Sequence, residues 1–178
     1  MSVSGKAVFL DRDGTIIRDV GYPKDPKQVE LLPEIIEALR KLIEFGYKLV
    51  VISNQSGIGR SIITLEEMNQ VNAKFISIFE KHEIYFNGIY YCPHAPEEQC
   101  NCRKPSPEMI LNAAKELDIN LSLSFMVGDK LSDVQAGKRA GCNTILLKNE
   151  DLAKWDITPD FVASNWAEVI TFILKNET

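Results

Sequence analysis

No apolar run in this 178-residue chain approaches the roughly 18 residues that a bilayer-spanning helix needs, so a membrane-spanning helix is not expected. The opening MSVSGKAVFLDRDG lacks the extended apolar stretch of a secretory leader, and an address in the cytosol is expected. Positive charge is in deficit: 20 Lys and Arg against 25 Asp and Glu give a net charge of -5. That balance argues against a general binder of nucleic acid or anionic membrane. An anionic ligand would have to be held by a local device: a metal, backbone amides or a few placed cations. Internal repeats, low-complexity tracts and linker-like stretches are also missing, so a single domain over 1–178 is expected. Histidine is scarce, at two residues, while four cysteines are present. In a reducing compartment such cysteines are more often metal ligands or free thiols than disulfides.

What the chain does contain is an alternation of short apolar runs and amphipathic stretches. Lys6–Leu10, Tyr47–Ile52, Gly88–Tyr91, Ser124–Val127, Asn143–Leu147 and Asp160–Ala163 read as strands. Between them, Ile35, Ile36, Leu39, Leu42 and Ile43 form one face of a helix with Pro33 in its first turn, ending near Gly46. Thr64 and Glu67 make a capping box ahead of a helix carrying Leu65, Met68, Val71, Phe75 and Phe79 on one side. Ser106-Pro107 starts a helix with Ile110, Leu111, Ala114 and Leu117 inward; Leu131–Ala140 is stopped by Gly141; a last helix runs from about Trp166 to Leu174. Such alternation predicts an α/β fold with a parallel sheet covered on both faces, and ligands then bind beyond the carboxyl ends of the strands. The polar clusters fall there: Asp11 and Asp13, Ser53 and Asn54, Gly128 and Asp129.

The first strand ends in Val8-Phe9-Leu10-Asp11-Arg12-Asp13-Gly14-Thr15. In extended chain, residues two apart point to one side, so Asp11 and Asp13 face one site. Crowded carboxylates repel unless one is protonated or a cation sits between them, and a hard dication such as Mg²⁺ suits oxygen ligands. Gly14 allows a phosphate close to the backbone, and Thr15 can hydrogen-bond a neighbouring carboxylate. Taken alone, the run also reads as a polar turn closing a strand.

The other dense stretch is Cys92-Pro-His94-Ala-Pro-Glu-Glu-Gln-Cys100-Asn-Cys102. Three thiolates and an imidazole make the Cys₃His set of a closed structural Zn²⁺ site, with no open position for catalysis. The metal would staple the loop that presents Arg103 and Lys104. Free thiols with a surface histidine, or a Cys92–Cys100 disulfide, are the alternatives. Cys142 reads as a small buried hydrophobe, and His82 as exposed or helix-capping.

Four stretches, in order, resemble the motifs of the haloacid dehalogenase superfamily of phosphotransferases: D-x-D-G-T at Asp11–Thr15, a Ser/Thr at a strand end at Ser53, a lysine at Lys104, and G-D-x-x-x-D at Gly128–Asp133. The resemblance implies a Rossmann-like three-layer sandwich with a mainly parallel central sheet. It implies that Asp11 is the nucleophile and that Asp13 protonates the leaving oxygen, then activates water. By the same resemblance Mg²⁺ is held by Asp11, the Asp13 carbonyl and Asp129. Ser53 and Lys104 hold the phosphoryl oxygens, and Asp133 orients Lys104 or the metal shell. The C-x-H…C-x-C-R-K-P insert narrows the resemblance to a compact, capless group whose members act on heptose 1,7-bisphosphate or on histidinol phosphate. Asn54-Gln55-Ser56-Gly57-Ile58-Gly59-Arg60 and Asp19-Val20-Gly21-Tyr22 look more like the heptose enzymes, while the short span from His94 to Cys100 is shared with the histidinol enzymes. Gly59 and Ser61 depart from the usual Ala and Gly beside Arg60. The implied substrate contacts are Arg12, Asp19, Val20, Gly21, Tyr22, Asn54, Gln55, Ser56, Arg103 and Lys130, with Arg103 reaching a distal phosphate. The motif gaps leave no room for a cap domain, and a monomer acting on a small sugar phosphate is expected. A non-catalytic phosphate-binding module on the same fold is the reading from another class; intact Asp11, Asp13, Lys104 and Asp129 speak against it.

Overall fold

The computed structural model describes residues 5–147 and 156–176. Six strands form one parallel sheet: β1 (Lys6–Leu10), β2 (Tyr47–Asn54), β3 (Gly88–Cys92), β4 (Phe125–Gly128), β5 (Asn143–Leu147) and β6 (Phe161–Ala163), in the order β3-β2-β1-β4-β5-β6. The helices are α1 (Ile35–Glu44), α2 (Leu65–Glu80), α3 (Glu108–Glu116), α4 (Leu131–Ala140) and α5 (Trp166–Lys175).

The period of two along each strand splits the core. Val8 and Leu10 of β1, Leu49 and Val51 of β2, and Val127 and Ile145 face a cluster built with Leu39 and Leu42 of α1, Phe75 and Phe79 of α2, and Trp166 and Ile170 of α5. Ala7, Phe9, Val50, Ile52 and Met126 face the other way, against Met109, Ile110 and Ala113 of α3 and Ala136 and Ala140 of α4. Three layers follow: three helices on one face, the sheet, and two helices on the other. Both faces being covered explains why these strands read as near-continuous apolar runs.

The chain switches direction between β1 and β4. β2 and β3 lie on one side of β1, while β4, β5 and β6 lie on the other. In open α/β sheets the crevice at such a switch is where ligands bind. Asp11 follows β1 directly at this point, with its N–H bonded to the Val127 carbonyl of β4 at 3.0 Å.

The local readings differ from the structure in a few places. Pro33 lies ahead of α1, which begins after Glu34 in a left-handed conformation (φ 64°). Pro107, not Ser106, caps α3. Ile43, Leu111 and Leu65, expected on buried faces, are 41 %, 41 % and 52 % exposed. The apolar stripe of each helix is wider than the strip the sheet covers. The Thr64–Glu67 capping box is formed, with Glu67 N–H on Thr64 Oγ1 at 3.1 Å and Thr64 N–H on Glu67 Oε2 at 2.7 Å.

Candidate active site

β1 delivers Asp11, and the turn after it delivers Arg12 and Asp13; all three are buried. Gly14, at φ +85°, lets this turn pass directly beneath Asp129, where any Cβ would collide with the Asp129 carboxylate. From the opposite face, Trp166 Nε1 donates to the Thr15 carbonyl at 2.8 Å and pins the turn to α5. Thr15, expected to bond a carboxylate, does not: its hydroxyl is buried without a hydrogen-bond partner.

Lys104 is buried across from Asp11. Its ammonium contacts Asp11 Oδ1 at 2.8 Å, Asp133 Oδ1 at 2.7 Å and the Ile52 carbonyl at 2.7 Å. The contacts to Asp11 and Ile52 are hydrogen bonds, and the one to Asp133 is an ion pair. Burial alone would lower the Lys104 pKa, but Asp11 and Asp133 override it and hold the ammonium above its ordinary value. The expected link between Asp133 and Lys104 is therefore present. Asp133 also accepts from the Lys130 N–H at 3.0 Å, tying the start of α4 to the site.

Asp13 is held by two neighbours. Gln55 Nε2 donates to Asp13 Oδ2 at 2.9 Å and to Ser53 Oγ at 2.6 Å, and Arg12 forks onto the same carboxylate. Burial pushes the Asp13 carboxyl up from the ordinary aspartate range; Arg12 opposes this and the Asp11 charge adds to it.

Oxygen atoms of Asp11, Asp129 and Asp133 lie within 4.8 Å of one another. Asp129 Oδ1 is buried with no hydrogen-bond partner, and Lys130 Nζ stands 3.9 Å from it. Burial and the Asp11 charge raise the Asp129 carboxyl to about 7. A hard dication satisfies this arrangement: it supplies the missing partner and offsets the crowded charge, so these residues fit Mg²⁺.

A pocket of about 310 Å³ opens above the acids, lined by Asp13, Asp19, Gly21, Tyr22, Asn54, Gln55, Ser56, Arg103, Lys130 and Ser132. Eight of the ten residues expected at the substrate are thus gathered around one cavity. Val20 is absent from the lining and is 41 % exposed on its rim. Arg12 is 2 % exposed and turned inward onto Asp13 and Asn72, because its fork finds buried acceptors there. Asn54 lines the pocket with its side-chain amide already engaged: Oδ1 accepts from the Lys104 N–H at 3.0 Å and Nδ2 donates to the Lys104 carbonyl at 3.1 Å. Lys130 pairs with Asp19 at 3.2 Å, and Asp11, Asp129 and Asp19 together hold its ammonium above the ordinary range.

The cysteine loop closes one side. Cys92 and Cys102 Sγ are 2.7 Å apart, Cys92 and Cys100 3.4 Å, and His94 Nδ1 lies 3.5 Å from Cys92 and 3.3 Å from Cys102. All four cysteines are free, and these four ligand atoms converge on one point. The donor set fits a tetrahedral soft-metal site. Gly59 explains its own departure: its N–H bonds the Pro93 carbonyl at 2.8 Å, and a Cβ would crowd the loop backbone at Pro93 and Ala95. Ser61 adopts φ 56°, a conformation suited to glycine. Arg103 Nη1 reaches the His94 carbonyl at 3.4 Å. Cys142 is buried, and burial pushes its thiol up to about 12, as suits an inert core residue.

Asn72, Ser132 and Trp166 were not anticipated. Asn72 and Trp166 sit on helices whose sequence patterns speak only of packing. Ser132 could have been suspected, since it falls inside the G-D-x-x-x-D run.

This acidic turn at a sheet switch point, faced by a lysine and a second acidic turn, is that of a hydrolase of the haloacid dehalogenase (HAD) class. The HAD-hydrolase-like family model matches residues 101–169. D-glycero-β-D-manno-heptose-1,7-bisphosphate 7-phosphatase of Helicobacter pylori is 46 % identical over 149 residues, covering 82 % of this chain and 86 % of that one. The same-named Salmonella typhi protein is 36 % identical over 187 residues, covering 99 % and 100 %. The crystal structure of D,D-heptose 1,7-bisphosphate phosphatase from B. bronchiseptica, complexed with magnesium and phosphate, superimposes with a TM-score of 0.87 at 30 % identity, covering 96 % of this chain and 98 % of that one. The chain belongs to this family of heptose-bisphosphate phosphatases within the HAD-like hydrolases.

Proposed function

We propose that the protein is a Mg²⁺-dependent phosphatase that removes the C7 phosphate of D-glycero-β-D-manno-heptose 1,7-bisphosphate. The heptose 1-phosphate it leaves feeds nucleotide-activated heptose for lipopolysaccharide and other surface glycans. The observation that carries this reading is Asp11 beside Asp13 at the head of β1, with Asp11 bonded to Lys104, in a chain that aligns nearly end to end with heptose-bisphosphate phosphatases. It acts as a single capless domain, as a monomer in the cytosol.

Asp11 attacks the C7 phosphorus in line with the bridging oxygen, and an aspartyl-phosphate forms as the P–O7 bond breaks. Asp13, whose carboxyl burial pushes above the ordinary aspartate range, gives its proton to O7 as the sugar alcohol departs. Asp13, now a carboxylate, takes a proton from water, which attacks the phosphorus and returns Asp11 and inorganic phosphate. Lys104 keeps Asp11 aligned and offsets its charge; its ammonium is already held by hydrogen bonds to Asp11 and Ile52 and the ion pair with Asp133, so orientation is its first role. Ser53 retains its hydroxyl proton for a phosphoryl oxygen, since Ser53 Oγ accepts from Gln55. Asp11, the Asp13 carbonyl and Asp129 would hold Mg²⁺, which would supply positive charge to offset that of the carboxylates and the phosphate.

Arg103 and Lys130 both line the pocket, and in this reading they supply the cationic contacts to the C1 phosphate. Tyr22, Gly21, Asp19, Gln55 and Ser56 contact the sugar. A structural Zn²⁺ on Cys92, His94, Cys100 and Cys102 holds the Arg103–Lys104 segment. The test is kcat/KM with Mg²⁺ on the β and α anomers of the heptose bisphosphate and on histidinol phosphate. A preference of ~100-fold or more for the β anomer, about 2.7 kcal/mol of discrimination, supports the reading. Equal or faster turnover of histidinol phosphate overturns it, as does tight binding with no turnover of any ester.

A further inference from the structure

Arg12 is flanked in sequence by the two catalytic aspartates, yet it ranks among the largest fully buried side chains. Burying a guanidinium is costly unless its donors are satisfied. Here Nε lies 3.1 Å from Asp13 Oδ2, Nη2 lies 3.0 Å from Oδ2 and 3.3 Å from Oδ1, and Nη1 lies 2.5 Å from Asn72 Oδ1. Asn72 belongs to α2, so the contact reaches from the catalytic turn into a helix that carries no other part of the site. Gln55 Nε2 meets the same Asp13 Oδ2 from the side of Ser53, at 2.9 Å. The terminal torsion of an aspartate is otherwise broad. A fork along one edge and an amide at one oxygen leave this carboxyl a single orientation.

We propose that Arg12, braced by Asn72, is a positioning residue for Asp13, fixing the face that Asp13 presents to the leaving oxygen. The proposal rests on the reading of Asp13 as the general acid. Positioning predicts a particular kind of damage. Loss of the brace leaves Asp11 and its attack intact and weakens only proton delivery. A leaving group that departs as a stable anion is then spared.

The test measures single-turnover release of the leaving group, with Mg²⁺, from heptose 1,7-bisphosphate and from p-nitrophenyl phosphate, whose phenolate needs no proton. The variants are Arg12→Met, Arg12→Lys and Asn72→Leu, with Asp13→Asn as reference and far-ultraviolet circular dichroism as the fold check. On the sugar phosphate, Arg12→Met should lose about 10²-fold, and Arg12→Lys and Asn72→Leu about 10-fold. On p-nitrophenyl phosphate all three should lose less than about 3-fold. Should Arg12→Met fail to fold, Asn72→Leu, at a partly exposed helix position, decides the matter. Equal losses on both substrates, or no loss on either, overturn the proposal. If Asp13→Asn itself shows equal losses, the acid assignment falls and the proposal with it. If Asp13→Asn is selective and the others are not, the proposal falls alone.

Discussion

Two clusters in this molecule converge ligand atoms on a point, and they do so in opposite ways. Asp11, Asp129 and Asp133 are hard oxygen donors, all buried, on the turn after β1, the turn after β4 and the first turn of α4. Cys92, His94, Cys100 and Cys102 are soft donors on one short loop, three of them half-buried. The acidic cluster is left short of partners, with Asp129 Oδ1 unbonded and its carboxyl raised to about 7. The sulfur cluster is complete in itself, four donors for a four-coordinate ion. An incomplete site can exchange ligands with a substrate; a closed one can only hold its own chain in place. Asn54 joins the two, gripping the backbone of Lys104 between the loop and the acids.

The largest effect expected separates chemistry from stability. Asp11→Asn keeps an acceptor for Lys104 and removes the proposed nucleophile, so kcat should fall at least about 10³-fold with the melting temperature unchanged or raised. Retained turnover would break the contrast outright. Cys102→Ser should do the reverse. Zinc content falls below one per chain by elemental analysis, and stability drops by about 3 kcal/mol, or ~10 °C for a chain of this size. Turnover falls about 10-fold, through Arg103 and Lys104. A Cys102→Ser protein with unchanged melting temperature would show that the loop needs no metal.

The sheet and its order of elements were legible because strands buried on both faces and helices with one apolar stripe leave strong periodic signals. The acidic turn and the cysteine loop were legible because their residue types are rare in such density. Side-chain direction was not. Arg12 reads as one more cation beside an anion site, and only the fold shows Asn72 waiting behind it. Thr15 failed for the same reason: adjacency in sequence says nothing of which way a turn aims. Asn54 was assigned to substrate by its place in the run, whereas a partner fifty positions away takes both ends of its amide.

The junction itself gives the next effect. Asn54→Leu keeps the volume and leaves the Lys104 N–H and carbonyl without their amide. The expected cost is about 1–3 kcal/mol in stability, with kcat reduced more than KM is raised, because Lys104 aligns Asp11. Urea melts and steady-state kinetics on one preparation check both. Full activity would mean that acids and loop are mechanically independent.

The smallest effect tests whether incompleteness belongs to the site rather than to aspartates in this fold generally. Asp160 is the counterexample. It accepts from Thr144 N–H at 2.7 Å and Thr144 Oγ1 at 2.9 Å, and pairs with Lys138. Burial pushes its carboxyl up, but Lys138 and the Thr144 donors outweigh it and hold the pKa below the ordinary 3.8. A depressed acid stabilises the fold above its unfolded pKa, and that stability is lost as pH falls through the folded value. Asp160→Asn should therefore cost about 1 kcal/mol at pH 7, since the group is partly solvent-screened. The gap should stay level from pH 7 to about 5 and narrow below about 4. A gap that instead widened on acidification would place Asp160 with the raised carboxylates of the site, and the distinction between a satisfied acid and a poised one would fail.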